Sequence, residues 1–142
     1  MDKAIVNMYN WELYIYEEVY NLSGIAEDHP RLGKNVYVRY TSTLQNYSFE
    51  EDILTYETRN TIYKCPLKYM YTKPYGNVTP DYKKELMSRD EASDNILDQI
   101  IAASARLSLG MELDHEFVQH ILQVTEIGKA ELEAIRKQMM SV

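Results

Sequence analysis

His29 sits in the run Asp28-His29-Pro30-Arg31-Leu32-Gly33, with a carboxylate and a guanidinium close beside it. Thr41, Ser42 and Thr43 follow on the next segment with strand character. An imidazole near a carboxylate and hydroxyls can shuttle protons or activate a nucleophile. The same run is also a well-marked turn, because Pro30 presets the backbone angle and Gly33 accepts a positive φ. Neither a glycine-flanked nucleophile elbow nor a phosphate-cradling glycine loop accompanies it. Turn chemistry accounts for His29-Pro30, so no catalytic residue is assigned and a non-enzymatic chain is expected.

Two further histidines, His115 and His120, raise metal binding. On a helix they would point about 140° apart, too far to share an ion, and His115-Glu116 lacks the second histidine of the zinc-protease motif. Cys65 is the single cysteine, which excludes an internal disulfide and a thiolate zinc site. Pro66 after it enforces extended backbone, and a buried, inert thiol is expected. No metal or cofactor is assigned.

The tyrosines carry the strongest binding signal. All 13 lie between Tyr9 and Tyr82. Strand alternation turns some outward, for instance in the pairs Tyr14/Tyr16 and Tyr37/Arg39. Tyr and Arg are favoured at the centres of protein interfaces, where they bury large area at low entropic cost. The candidate binding set is Tyr37, Arg39 and Thr41, with His29 and Arg31 on the adjoining turn. Aromatic sheets also stack single-stranded bases, but beside a basic groove, and the charges here are mixed. The expected partner is another protein, or a second copy of this chain. The competing reading packs most tyrosines between sheet and helices with their hydroxyls reaching water.

A second candidate lies near the C-terminus. Val124-Thr125-Glu126-Ile127-Gly128-Lys129-Ala130-Glu131-Leu132-Glu133-Ala134-Ile135-Arg136 resembles the turn and recognition helix of helix-turn-helix proteins. The resemblance begins at Phe117 and implies DNA contacts from Lys129, Arg136 and Lys137 within residues 117–140. It departs from that pattern at Glu126, a position often filled by Gly. Glu131 and Glu133 also set carboxylates among the would-be phosphate contacts.

Composition bounds these readings. The chain has 142 residues and a formal net charge of −7, with 45% hydrophobic residues. That is enough to build a core, and it is a charge that repels nucleic acid at long range. The opening segment lacks a secretory pattern and no apolar run reaches the length of a membrane span, so a cytoplasmic setting away from membranes is expected.

The elements that must position these residues divide near residue 80. Aromatic and β-branched residues dominate 1–72, and Ala, Leu, Ile, Glu and Gln dominate 83–142. Pro74, Gly76 and Pro80 punctuate the linker 73–82. We expect one compact α+β domain spanning 1–142. About four antiparallel strands would form a small sheet or half-barrel, with a C-terminal three-helix unit packed on it.

Within the β-rich part, Trp11, Leu13 and Ile15 alternate with polar and aromatic positions. Gly24 marks a bulge or close approach in the next strand. Val36, Val38 and Tyr40 form another strand, and an acidic loop follows at Glu50-Glu51-Asp52. Ile53–Thr58 and Thr61–Leu67 pair around Arg59-Asn60. In the helical part, Ser88-Arg89-Asp90-Glu91 reads as a capping box, Gly110 as a stop and Asp114 as a second cap, and Gly128 as a break before a final helix.

Overall fold

A computed structural model describes residues 3–27, 36–39, 41–72, 81, 84, 85 and 95–140. Strands β1 (Ala4–Tyr16), β2 (Val19–Glu27), β3 (Val36–Val38), β4 (Asn46–Glu50), β5 (Ile53–Glu57) and β6 (Thr61–Pro66) form one sheet. Among the described residues a 3-10 turn (Leu67–Tyr69) and helices α1 (Ile96–Leu109) and α2 (Glu116–Met140) follow the sheet. The sheet order is β3-β2-β1-β6-β5-β4. Each half is an antiparallel meander, and the halves join through the parallel pair β1/β6. The class is α+β, with a mixed sheet of six strands where an antiparallel one of about four was expected.

The missed strand is β4. The acidic stretch is not a loop: Glu50 ends β4, and Glu51 and Asp52 make a two-residue turn with φ of 52° and 60°. Left-handed angles at both central residues match the twist of a tight hairpin, although Gly or Asn usually supplies them. Glu17 and Glu18 close β1/β2 in the same way, with φ of 51° and 66°.

Trp11, Leu13, Val6 and Met8 all point inward, although 8 and 11 differ in parity. A bulge reconciles them. The register of β1 against β2 shifts between Tyr9 and Glu12, and Asn10 takes a left-handed φ of 48°. The extra residue returns the following apolar positions to the inner face. Gly24 sits opposite, where a Cβ would lie 2.8 Å from Trp11 Cα. The expected close approach is therefore present.

The sheet is strongly curled. Tyr56 on β5 is fully buried and its hydroxyl donates to Tyr20 O on β2 at 3.1 Å. In a flat sheet those strands would lie about 14 Å apart, further than one tyrosine side chain reaches. Burial pushes the Tyr56 phenol up to about 12, against the opposing effect of Thr41. Helix α1 fills the concave side. It buries Leu97, Ile100, Ile101, Ala103 and Ala105, the pattern of a helix with apolar residues around most of its girth. Tyr20 donates to Asp98 at 2.6 Å, which pins α1 to β2.

Asn95 caps α1 by accepting from Leu97 N, and the expected box at Ser88–Glu91 lies outside the described residues. Gly110 ends α1 in the left-handed region as expected, donating to Leu107 O while Met111 donates to Arg106 O. The second cap is His115 rather than Asp114: its Nδ1 accepts from Phe117 N at 3.3 Å. The expected break at Gly128 does not occur, and α2 runs unbroken through it.

Candidate functional site

The bulge that turns Trp11 and Leu13 inward also turns Tyr14 and Tyr16 outward. Pairing sets Tyr14 opposite Asn21, Tyr16 opposite Val19 and Ile25 opposite Tyr37. Tyr16 and Tyr37 are 64% and 60% exposed. Tyr14, Tyr16, Asn21 and Arg39 line a concave surface of about 600 Å³. Tyr14 donates to Arg39 O at 3.2 Å, which holds the chain leaving β3 against β1. The end of β1 and the residue that follows β3 thus bring together two tyrosines, Tyr14 and Tyr16, and Arg39, all singled out from the sequence.

Of the five predicted binding residues, Tyr37 and Arg39 are exposed on this outward face. Thr41 is only 9% exposed and belongs to the buried surroundings of Tyr56, so it is not part of the face. Its position follows from the sharp change of course after β3, which the alternation did not reveal. His29 and Arg31 lie outside the described residues.

Glu12 stands on the same face, opposite Ser23. Ser23 donates to its Oε1 at 3.3 Å, while Oε2 is enclosed with no hydrogen-bond partner among the described residues. Burial holds the Glu12 carboxyl above its ordinary range, and the Ser23 bond offsets part of that. A carboxylate raised on folding costs stability once pH passes its unfolded value, and the cost is absent in acid, where both states are protonated. Glu12→Gln is therefore expected to raise the thermal midpoint at pH 7 by about 3 °C, equivalent to about 1 kcal/mol. The gain should vanish near pH 4. Melting curves of both proteins across that range test it, and an equal gain at both ends would remove the electrostatic cause.

A second recess lies where the β4–β5 turn, the 3-10 turn and the middle of α2 meet. Its volume is about 460 Å³, with Met8, Ile53 and Val124 as apolar walls and Tyr9 and Tyr69 as aromatic ones. The two rings stand 5.0 Å apart at 49°. Their hydroxyls are tied back, Tyr9 donating to Glu27 at 2.8 Å and Tyr69 to Glu131 at 2.9 Å. Burial, then the Glu27 bond, pushes the Tyr9 phenol up to about 12. Lys68 Nζ lies 2.8 Å from Glu131 Oε2. That contact raises the Lys68 ammonium above its usual value and lowers the Glu131 carboxyl. Asp52 lines the recess while meeting His120 Nε2 at 2.8 Å.

Gly128 sets how closely α2 approaches. A Cβ there would stand 2.0 Å from Lys68 O. The glycine is thus a packing device that lets the helix rest on the 3-10 turn.

No family model matches the chain, and no curated protein or solved structure matches it. The functional reading therefore rests on the chemistry of these two surfaces.

The helix-turn-helix candidate loses its geometry. Residues 117–140 belong to one helix of 25 residues, Glu116–Met140, with no turn at 124–128. Lys129, Arg136 and Lys137 are all exposed. Lys129 and Arg136 share a line seven residues apart, but Glu133 interrupts it and Lys137 stands about 100° round the helix. Among the described residues no group of three His, Cys, Asp or Glu side chains could hold a metal. His115 precedes α2 as its cap, so the angular argument for the histidine pair does not apply. Cys65 is fully buried, and burial raises its thiol well above the ordinary value. Sequence reasoning missed the recess around Tyr9, Tyr69 and Asp52, whose walls come from four separate segments.

Proposed function

We propose that this chain is a small, non-enzymatic interaction module that binds another protein through the surface formed by the end of β1, the start of β2 and the residue after β3. The observation that carries the reading is the convergence of Tyr14, Tyr16 and Arg39 on one concave surface. Tyrosine presents a rigid amphipathic ring and arginine a fork of donors, the two side chains most effective in interface centres. Exposed Val19 adds apolar area, and Glu17 and Glu18 set carboxylates at the rim. A partner segment with a basic residue for that rim and a carbonyl or carboxylate for Arg39 fits the surface.

A reducing, cytoplasmic setting is part of the proposal and agrees with a lone buried thiol. No helix among the described residues is long and apolar enough to cross a membrane.

The test is a native pull-down with quantitative mass spectrometry, comparing the full chain with Tyr16→Ala/Arg39→Ala. Both positions are exposed, so the variant should keep its melting temperature. A specific protein retained by the natural chain should fall by about tenfold or more with the variant, the loss expected when interface anchors are removed. Identical retained proteins from both baits would overturn the reading. Recovery of the chain alone, with a dimer in sedimentation, would replace the partner by a second copy.

A further inference from the structure

The recess between the β4–β5 turn and α2 shares only β1 with the Tyr/Arg face, taking Asn7, Met8 and Tyr9 where the face takes Tyr14 and Tyr16. We infer that it binds a small organic cation, an ammonium group carrying an apolar body. The volume of about 460 Å³ is that of a small-molecule site. Met8, Ile53 and Val124 offer apolar contact, and Tyr9 and Tyr69 line the space, where the Tyr69 ring already draws Lys68 Nζ to 5.1 Å from its centroid. Ring faces carry negative electrostatic potential and attract cations. Both hydroxyls are already fixed to carboxylates outside the ring pair, so little side-chain freedom remains to be lost on binding.

Charge selects the ligand's sign. Glu51 and Asp52 bring two carboxylates to the recess, against one ammonium, that of Lys68. That ammonium is already engaged by Glu131 at 2.8 Å. An anionic head group would have to displace Glu131 and face both turn carboxylates. A cation meets those carboxylates directly, with His120 holding Asp52 from the α2 side. The rigid two-residue turn fixes where they stand, because the left-handed angles at 51 and 52 leave the hairpin little latitude.

The probe is hexyltrimethylammonium, compared with hexanoate and hexanol on the same alkyl chain. Amide spectra of the isotope-labelled full chain report binding. The cation should produce saturable shifts at Asp52, Ile53, Tyr69, Val124 and Ile127, with hexanol weaker and hexanoate weakest. Glu51→Gln, at an exposed position, should weaken the cation by about fivefold, the scale of one charge contact near a surface. Ile127 is 57% exposed, so Ile127→Arg should fold normally and abolish saturation by placing a fixed cation at the mouth. Tyr16→Ala/Arg39→Ala should leave binding unchanged, which separates this inference from the partner surface. Hexanoate binding as tightly as the cation, or no saturable shift with any probe, overturns the proposal.

Discussion

Gly128→Ala is expected to destabilise the protein by about 3 kcal/mol, despite placing a better helix former inside a helix. On propensity alone the change should stabilise by about 1 kcal/mol. Packing opposes it and wins. The new methyl would stand 2.0 Å from Lys68 O and 2.7 Å from Lys68 C, and both atoms are backbone that no rotamer change can move. Helix α2 must lift from the 3-10 turn. One turn further on, Glu131 would then lose Lys68 and Tyr69 together. Urea titrations of the variant against Glu126→Ala, at an exposed position of the same helix, isolate the contact. The control should stay within about 0.5 kcal/mol of the natural chain. Amide exchange in α2 should accelerate in Gly128→Ala more than exchange in β5 and β6. A variant as stable as the natural chain would remove the close approach as the reason for glycine.

That residue shows why some of this molecule was legible in its sequence and some was not. Gly110 and Gly128 look alike as punctuation, yet one ends a helix with a φ of 66° and the other lies inside one. The difference is tertiary: only the position of Lys68, sixty residues earlier in the chain, distinguishes them. Local chemistry was readable wherever local chemistry decides the outcome. The alternation of Trp11, Leu13 and Ile15 announces β1, and Arg59-Asn60 closes the β5/β6 hairpin, with Thr58 N donating to Thr61 O at 2.9 Å.

What stayed hidden depends on long-range pairing. The parallel joining of β1 to β6 brings Ala4 beside Thr61, and no short-range pattern specifies it. β4 was obscured because its five residues are almost all exposed, leaving no buried face to generate a period-two signal. The Tyr/Arg face was half visible: Tyr14, Tyr16, Tyr37 and Arg39 follow from alternation, whereas the inward course at Thr41 does not. The Tyr9–Tyr69 recess was invisible because its walls meet only after the sheet curls and α2 docks.

Trp11→Ala is expected to cost about 4 kcal/mol, a large share of the stability of a domain this size. Trp11 is fully buried, and its indole N–H donates to Pro66 O at 2.6 Å across the junction between β1 and β6. Its carbonyl accepts from Tyr71 N at 2.8 Å, and its Cα lies 2.8 Å from where a Cβ on Gly24 would stand. One residue thereby fixes the bulge, the end of the parallel pairing and the start of the chain's path after β6. Thermal unfolding should fall by about 15 °C in the alanine variant. Trp11→Phe keeps most of the volume and loses the donor, so it should cost about 2 kcal/mol, chiefly the unpaired Pro66 carbonyl. The pair of variants also tests how fold and function connect. The bulge that seats Trp11 inward is what presents Tyr14 and Tyr16 outward. Partner retention should therefore survive in Trp11→Phe below its melting temperature and fail in Trp11→Ala, where the register of β1 against β2 has no anchor. Equal stability of alanine and natural proteins would mean that the register is held elsewhere along β1.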